Sequence, residues 1–390
     1  MLAVTENPLD QEVPRSRLAI LLKHFADVGD DREPWRVMYP LKEVLLLLTC
    51  ATVAACDDFD DICAWGRHHL DFLRTFSEFH FGIPCERWMR KLVNRVDPIM
   101  FGNCFKSWVA ELWPHRHDLI AIDGKTARRT HDRRHGRKAL HTLSAYATTA
   151  RLVLAQQSVA EKTNEITAIP DVLDELAQAG QFEGALVTID AMGCQVEIAG
   201  KIVAHKADYL LALKGNQPNL EAEVADYFAT APATELAVKT TVEKGHGRIE
   251  TRIVTISGDV DWIVSERSYP GEPGFTTINT LVKVVSRTEH HDRCTFDTRY
   301  FISSAPPVIE RLANAVRGHW GVESMHWLLD VAFGDDQARY RSGHGAKNMA
   351  VIRRFALGLV RANKRKGSVK TRRKSASWDP NYLLEILQLT

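Results

Sequence analysis

The chain has 390 residues, 45% of them hydrophobic and 25% charged, which is the usage of ordinary folded proteins. This length predicts two or three domains, and the composition excludes a largely disordered chain. Fifty Lys and Arg residues balance 49 Asp and Glu residues, so any electrostatic attraction of a partner must come from local clusters rather than from the net charge of +1.

The cysteines and the apolar segments indicate where the protein works. Seven scattered cysteines include no Cys-x-x-Cys pair, which argues against a disulfide framework and against a thiolate zinc site. The first residues lack the basic start and apolar core of an export signal. The longest apolar run, residues 44–56, is too short to cross a bilayer. These features predict an intracellular protein in a reducing cytosol, with no membrane partner and no organic cofactor.

Residues 1–113 carry the pattern of an all-helical domain. Apolar residues recur at spacings of three and four in the segments 18–25, 41–56, 61–76 and 87–109. Pro40 and Pro84 lie just before two of these segments, where proline starts a helix rather than breaks it. Nothing here points to catalysis, so we expect a module for packing or for holding DNA.

A different pattern begins after Trp113 and Pro114. The apolar run 119–122 stops at Asp123, as expected for a strand that is buried on both faces. The following segments are predicted as strands at 140–149 and 152–160, a helix at 167–179, a strand at 185–189, a helix at 195–205 and a strand at 209–213. This order of elements predicts an α/β domain.

A β-rich block at about 237–304 interrupts this α/β domain. Its β-branched and aromatic stretches are 240–242, 252–256, 277–285 and 299–303. Helical periodicity then resumes at 308–331 and 348–361. Residues 361–374 hold eight Lys or Arg and no acid, which is typical of a solvated, partly disordered arm or of an arm that binds phosphate.

Two aspartates stand where apolar strands end. Asp123 follows the run 119–122, and Asp190 follows the run 185–189. Ligands of open α/β sheets bind outside the carboxyl ends of the strands, so both side chains would face the working surface. If the strands are neighbours, the two carboxylates need a cation between them, and Mg²⁺ is the usual one. An aspartate in this position is otherwise a simple turn former, and the residues alone leave both interpretations open.

The densest polar segment is 317–330. At helical spacing, His319, Glu323, His326 and Asp330 fall on one side of the predicted helix. A polar stripe of this kind is common on surface helices. Glu323 and His326 also have the spacing of a carboxylate–histidine metal pair, so a histidine-ligated metallohydrolase is an alternative, although the zinc motif His-Glu-x-x-His is absent.

Basic residues cluster directly after Asp123. They are Arg128, Arg129, Arg133, Arg134, Arg137 and Lys138, with one acid, Asp132, among them. Cations beside a proposed metal site favour a polyanionic substrate whose phosphates they neutralise. The polar loops that begin at Lys214 and Gly245 are more often ordinary connections.

Several short strings, taken in order, resemble bacterial insertion-sequence transposases, in particular the ISAs1-type group with the H-repeat-associated proteins. The core strings are Ile122-Asp-Gly-Lys125, Glu161-Lys-Thr-Asn-Glu-Ile166, Thr188-Ile-Asp-Ala-Met-Gly193, Tyr209-Leu-Leu-Ala-Leu-Lys-Gly-Asn-Gln217 and His246-Gly-Arg-Ile-Glu-Thr-Arg252. Segments 319–323, 329–333 and 336–339 resemble the C-terminal signature of that group, and segments 39–41 and 56–62 resemble its N-terminal associated domain. The likeness covers roughly residues 20–362.

The resemblance implies a fold and a set of site residues. It implies a ribonuclease-H-like catalytic domain at 114–362 with the β-rich insertion, a helical transposase-associated domain at 1–113, and a basic tail at 363–390. It also implies that Asp123, Asp190 and Glu323 are a DDE triad that holds two Mg²⁺ ions, with Mn²⁺ able to substitute. The related IS4 pattern of Tyr, Arg, Glu and Lys is not met, since His319 stands four residues before Glu323 and Asp330 seven after it.

The activity implied is DNA transposition, in which the same site cleaves an element's end and joins it to target DNA without a covalent enzyme intermediate. The candidates for contacts with the DNA backbone are Arg128, Arg129, Arg248, Arg317 and Arg339. Element ends and target DNA are the expected partners, and a homodimer assembled on DNA is a further expectation. The expected location is the bacterial cytoplasm, at the nucleoid when DNA is bound. A catalytically inactive DNA-binding descendant of a transposase is the alternative.

Overall fold

The structure is a computed structural model that describes residues 17–112, 118–159, 165–245, 247–264 and 274–388. The chain divides into two compact units, one formed by residues 1–112 together with 342–390 and the other by residues 113–341. Within the described ranges, no helix is long and apolar enough to cross a membrane.

The helices and strands are numbered here in chain order. The helices are α1 (Arg17–Ala26), α2 (Leu41–Val53), α3 (Phe59–His68), α4 (Leu70–Arg74), α5 (Glu86–Arg95), α6 (Pro98–Leu112), α7 (Glu165–Gln178), α8 (Val196–Ala204), α9 (Pro218–Thr230), α10 (Asp261–Val264), α11 (Ile309–Phe333), α12 (Gly345–Ala362), α13 (Val369–Trp378) and α14 (Pro380–Gln388). The strands are β1 (Leu119–Ala127), β2 (Leu140–Ala147), β3 (Leu152–Val159), β4 (Leu186–Ile189), β5 (Asp208–Leu213), β6 (Ala237–Gly245), β7 (Arg248–Ser257), β8 (Thr280–Glu289) and β9 (Cys294–Ser303).

The first unit is helical because its apolar residues recur at helical spacing and bury one another. Helix α2 is buried along almost its whole length and packs against α1, α3 and α12. The predicted segments 61–76 and 87–109 are each two helices in the structure. The second of them breaks before Pro98, because a proline disfavours helical geometry in the residue that precedes it.

The structure corrects the prediction of a separate basic tail at 363–390. Residues 369–378 and 380–388 form α13 and α14, which pack against each other, and α12, which was predicted as part of the catalytic domain, also belongs to the first unit. The Arg373 side chain is 1% exposed and donates hydrogen bonds to the carbonyl oxygen of Thr52 at 2.7 Å and to the carboxylate of Asp57 at 2.8 Å. The charge run predicted a solvated arm or a phosphate-binding arm, but partners within the first unit satisfy this buried cation.

The second unit is built on a nine-stranded mixed sheet with the order β3-β2-β1-β4-β5-β9-β8-β7-β6. Strands β1, β4 and β5 are parallel, and their neighbours at both sides pair antiparallel. The predicted order of three strands, helix, strand, helix and strand is present as β1, β2, β3, α7, β4, α8 and β5. The β-rich block supplies β6 to β9 and extends the same sheet, because β9 pairs with β5. The helix α9 was not predicted.

Candidate active site

Asp123 and Asp190 lie at matching positions on two neighbouring strands. Strands β1 and β4 are parallel, and Ile122 is paired with Ile189 in the last matched position of the ladder. The next residue in each strand direction is the aspartate, so both emerge at the same edge of the parallel core. The prediction that the two strands are neighbours is confirmed.

Asp123 is held from two directions. Its Oδ1 accepts a hydrogen bond from the backbone N–H of Gly124 at 2.8 Å, and its Oδ2 lies 3.3 Å from Nδ1 of His326 on α11. The other ring nitrogen of His326, Nε2, is buried and has no hydrogen-bond partner among the described residues. The side chain of Asp123 is 24% exposed, which leaves it accessible to a ligand.

Asp190 lies in a tight turn that other side chains brace. Its carboxylate accepts a hydrogen bond from the backbone N–H of Gly193 at 3.4 Å. The amide of Asn216 donates to the carbonyl oxygen of Ala191, and the amide of Gln217 donates to the carbonyl oxygen of Cys194 at 3.0 Å. The sequence favoured an ordinary connection for the loop at Lys214, whereas its amides hold the turn that carries Asp190.

Helix α11, which carries Glu323, packs on β1 and β4. A Cβ atom at Gly318 would collide with the Leu119 side chain, so this glycine permits the close approach of the helix to β1. One residue later, Nδ1 of His319 lies 2.9 Å from Oγ1 of Thr188 on β4. The helix therefore reaches both β1, which contains Asp123, and β4, which Asp190 follows.

A buried ion pair fixes the C-terminal part of α11 to β1. The Lys125 side chain is 7% exposed, and its Nζ lies 2.7 Å from Oδ1 of Asp330 and 3.6 Å from Oδ1 of Asp336. Together with the His326 contact to Asp123, this pair confirms that the polar side of α11 faces the strands.

The electrostatics show that Asp123 interacts with both other carboxylates. Burial raises the pKa of Glu323, and the charge of Asp123 raises it further, while Arg299 opposes both effects. Burial also raises the pKa of Asp190, followed by the charges of Glu165 and Asp123. Acids that converge in this way repel one another, and a cation between them relieves the repulsion.

The donor chemistry of the site fits a hard divalent cation. Carboxylate oxygens are the protein ligands that Mg²⁺ prefers, and Asp123, Asp190 and Glu323 supply three. No group of three or more His, Cys, Asp or Glu side chains in the described part of the chain forms a ready-made ligand cluster. The side chains would therefore have to rotate towards an ion. The two histidines face Thr188 and Asp123 instead of each other, which does not favour the histidine-ligated alternative.

The five arginines proposed for DNA contacts fall into two groups. Arg128 pairs with Asp336 at 3.3 Å and is otherwise well exposed. The exposed Arg129 is in the same short segment, 128–130, which contacts residues 335–337, and the exposed Arg339 follows that second segment by two residues. The second group belongs to the edge of the sheet and to α11. There Arg317 binds Glu243 at 3.0 Å and Arg248 lies 3.8 Å from Glu250.

Two residues near the site had no assigned role in the sequence. Glu165 begins α7, and its Oε1 lies 2.7 Å from Nε2 of His141 on β2. Glu165 is part of the string 161–166, which pointed to the segment but not to this side chain.

Comparisons with known proteins match nearly the whole chain. Residues 22–109 match the family model described as DDE_Tnp_1-associated, and residues 114–359 match the one described as Transposase DDE domain. The chain is 34% identical over 379 residues to the H repeat-associated putative transposase YhhI of Escherichia coli (strain K12), covering 94% of this chain and 97% of the relative. It is 35% identical over 375 residues to the Putative transposase YncI of Escherichia coli O157:H7, covering 94% of each. A solved piggyBac transposase synaptic complex with hairpin DNA aligns at 10% identity with a TM-score of 0.43, over 95% of this chain and 78% of that one.

Proposed function

Since the chain belongs to the family of transposases with a DDE domain and acts in DNA transposition, we propose that Asp123, Asp190 and Glu323 are its catalytic carboxylates. The reaction proposed is metal-dependent cleavage at the ends of an insertion sequence followed by strand transfer to target DNA.

One observation carries this proposal. The two aspartates follow matched positions of the parallel strands β1 and β4, and the charge of Asp123 acts on both Asp190 and Glu323. Three acids that are distant in the sequence therefore share one electrostatic environment. Perturbed acids of this kind cluster at functional sites more often than elsewhere.

The strand order supports a ribonuclease-H-like core as the finer description of the fold. The five strands β3-β2-β1-β4-β5 form one half of the sheet, and α7 and α8 connect β3 to β4 and β4 to β5. The remaining strands, β6 to β9, lie between β5 and α11 in the sequence, where the β-rich insertion was expected. The role of residues 22–109 as a transposase-associated module is part of the same proposal.

The carboxylates would hold two Mg²⁺ ions, or Mn²⁺ in their place. When bound, such a pair activates water or a DNA 3′-hydroxyl and stabilises the departing oxygen. Asp123 lies within β1 and Asp190 directly follows β4, while Glu323 would approach from α11. His326 would orient Asp123, to which it lies close.

DNA is the partner that this function requires, as element ends and as target. The exposed group of Arg128, Arg129 and Arg339 is the stronger candidate for backbone contacts. The Arg128 side chain is 82% exposed despite its pair with Asp336, whereas the side chains of Arg317 and Arg248, which pair with glutamates, are about half exposed. A homodimer assembled on DNA and a location in the bacterial cytoplasm remain predictions.

An active enzyme is favoured over an inactive DNA-binding descendant, because all three carboxylates are present. The test compares Glu323→Gln with Glu310→Gln in the full chain, on DNA that carries the native element ends. Both residues lie on α11, but Glu310 pairs with Lys239 near the start of the helix.

With Mg²⁺ present, we expect Glu323→Gln to lose cleavage and strand transfer by at least about a hundredfold, and Glu310→Gln to keep both. DNA binding, measured by fluorescence anisotropy, should be retained in both variants. Strand transfer by Glu323→Gln at the wild-type rate would exclude this triad. Binding without any cleavage by the wild-type protein would support the inactive descendant.

A further inference from the structure

A fourth acidic side chain lies beside the proposed triad. A Cβ atom at position 124 would collide with the carboxylate of Glu165 and would lie 2.7 Å from Nε2 of His141. Gly124 follows Asp123 directly. The missing side chain at this position therefore leaves the space in which the Glu165 carboxylate sits against β1.

The Glu165 carboxylate is fixed by a chain of contacts across two strands. His141 on β2 is the register partner of Thr126 on β1. Nδ1 of His141 lies 2.8 Å from Oγ1 of Thr126, and its Nε2 lies 2.7 Å from Oε1 of Glu165. Because both ring nitrogens are engaged, the ring cannot turn without losing a contact. The glutamate is therefore held in one place rather than free in solvent.

Helix α7, which begins at Glu165, also contacts the turn 191–193 that follows Asp190. A Cβ atom at Gly193 in that turn would lie 3.3 Å from the Ile169 side chain of α7. The Glu165 carboxylate lies against Gly124, next to Asp123, so the start of α7 places this charge close to both aspartates. In agreement with this placement, the charge of Glu165 is among those that raise the pKa of Asp190.

We propose that Glu165, oriented by His141, is a positioning residue of the divalent-cation site that acts by placing a fixed negative charge beside Asp190. This inference rests on the proposed function, since it assumes that Asp190 binds the cation. A fixed charge near a ligand strengthens the attraction of a divalent cation at that ligand. Residues that support metal ligands in this way typically change metal affinity by about 10- to 100-fold when they are replaced.

The structure offers a matched control on the same helix. Asp174 of α7 lies 3.0 Å from Nε2 of His205 and 2.6 Å from Nζ of Lys201, so it is another carboxylate–histidine pair. Asp174 is not among the main charges that act on Asp190 or Glu323. Replacing Asp174 removes the same type of contact from α7 and retains the carboxylate of Glu165 beside Gly124.

The experiment measures Mn²⁺ binding to the full chain by titration calorimetry, without DNA. We expect Glu165→Gln to weaken Mn²⁺ binding roughly tenfold, and His141→Gln to weaken it less. Glu165→Asp, which keeps the charge, should recover part of the affinity, and Asp174→Asn should bind as the wild type does. The melting temperature of Glu165→Gln in EDTA should not fall, which separates the loss of charge from a loss of fold.

The outcomes also separate this inference from the proposed function. Wild-type affinity in Glu165→Gln, together with lost binding in Asp123→Asn, would overturn the role of Glu165 and leave the triad intact. A wild-type protein that binds no Mn²⁺ at all would contradict the proposed metal site itself. Equal weakening in Glu165→Gln and Asp174→Asn would show a general effect of α7 and would also overturn the inference.

Discussion

Two aspartates of β1, one just before its first residue and one in its middle, have opposite surroundings. Asp118, just before the strand, is buried, and its carboxylate accepts hydrogen bonds from the backbone N–H groups of Leu119 at 2.7 Å, Thr149 at 3.2 Å and Ala150 at 3.1 Å. It joins the start of β1 to the turn between β2 and β3. Backbone donors thus satisfy this carboxylate.

Asp123, five residues later, accepts one backbone hydrogen bond from Gly124 and otherwise meets charged groups. It faces His326, and its charge raises the pKa of both Asp190 and Glu323. A satisfied carboxylate stabilises the fold, whereas a carboxylate among other acids costs stability and is kept for function. The same residue type therefore has a structural role just before the strand and a proposed catalytic role in its middle.

The largest expected effect comes from replacing each of these aspartates by alanine. Asp123→Ala should reduce strand transfer at least about a hundredfold and leave the protection of the Thr149 and Ala150 amides unchanged. Asp118→Ala should lower the free energy of local opening at these amides by about 3 kcal/mol, because hydrogen bonds to a charged acceptor are lost. Hydrogen exchange followed by mass spectrometry measures the protection, and a strand-transfer assay measures the activity.

The comparison between Asp118 and Asp123 would fail if either variant showed the effect that is expected of the other. If Asp123→Ala lost amide protection as Asp118→Ala does, Asp123 would have a structural role like that of Asp118. If Asp118→Ala kept full protection, its three hydrogen bonds would not be what holds the β2–β3 turn.

The sequence predicted those parts of the site that depend on local pattern. A buried apolar run marks a strand wherever it occurs, so the two runs that precede Asp123 and Asp190 were located directly. The predicted strand end is correct for Asp190 but wrong for Asp123, because β1 continues to Ala127, where it pairs with β2. Helical spacing likewise placed His319, Glu323, His326 and Asp330 on one side of α11. The register of β1 against β4, which brings the two aspartates together, needed the structure.

The features that were missed depend on contacts between distant segments. Nothing local to Glu165 shows that its carboxylate fills the space above Gly124. Asp118 looks like any polar residue before a strand until the turn at Thr149 is in place. Neither alternative for the basic run, a solvated arm or a phosphate-binding arm, predicts a buried Arg373, because its partners Thr52 and Asp57 lie more than three hundred residues away in the chain.

A smaller effect is expected at Lys125, which lies two residues after Asp123 in β1 and has a structural role. Lys125→Met leaves Asp330 and Asp336 without their buried cation. We expect the free energy of unfolding to fall by about 2 kcal/mol, less than for a fully buried pair because Asp330 is about one-third exposed. Strand transfer should fall about tenfold, because the pair fixes the helix that carries Glu323.

The double variant Lys125→Met/Asp330→Leu tests the reason for this loss. Replacing both charges by apolar groups should recover at least half of the stability. The exposed pair of Lys206 and Glu183 is the control, and Lys206→Met should cost less than about 0.5 kcal/mol. Urea unfolding measures all three variants. A double variant less stable than Lys125→Met would show that Asp330 has another essential partner.

The smallest effect is the pH dependence of the free energy of unfolding in EDTA, which reports the repulsion among the carboxylates of the candidate site. Burial and the neighbouring acids raise the pKa of Asp190 above its ordinary value of 3.8, so the folded state binds a proton more tightly than the unfolded state does. Stability is therefore lost as the pH rises from about 4 through the raised pKa, and Asp190→Asn should remove this loss. At neutral pH we expect the melting temperature of Asp190→Asn to exceed that of the wild type by about 2 °C or less.

Asp174 should change stability with pH in the opposite direction. Hydrogen bonds from Lys201 and His205 lower the pKa of Asp174, so its contribution to the free energy of unfolding disappears as the pH falls. If Asp190→Asn melted below the wild type at neutral pH, the carboxylate would be stabilising, and the contrast with Asp118 would not hold.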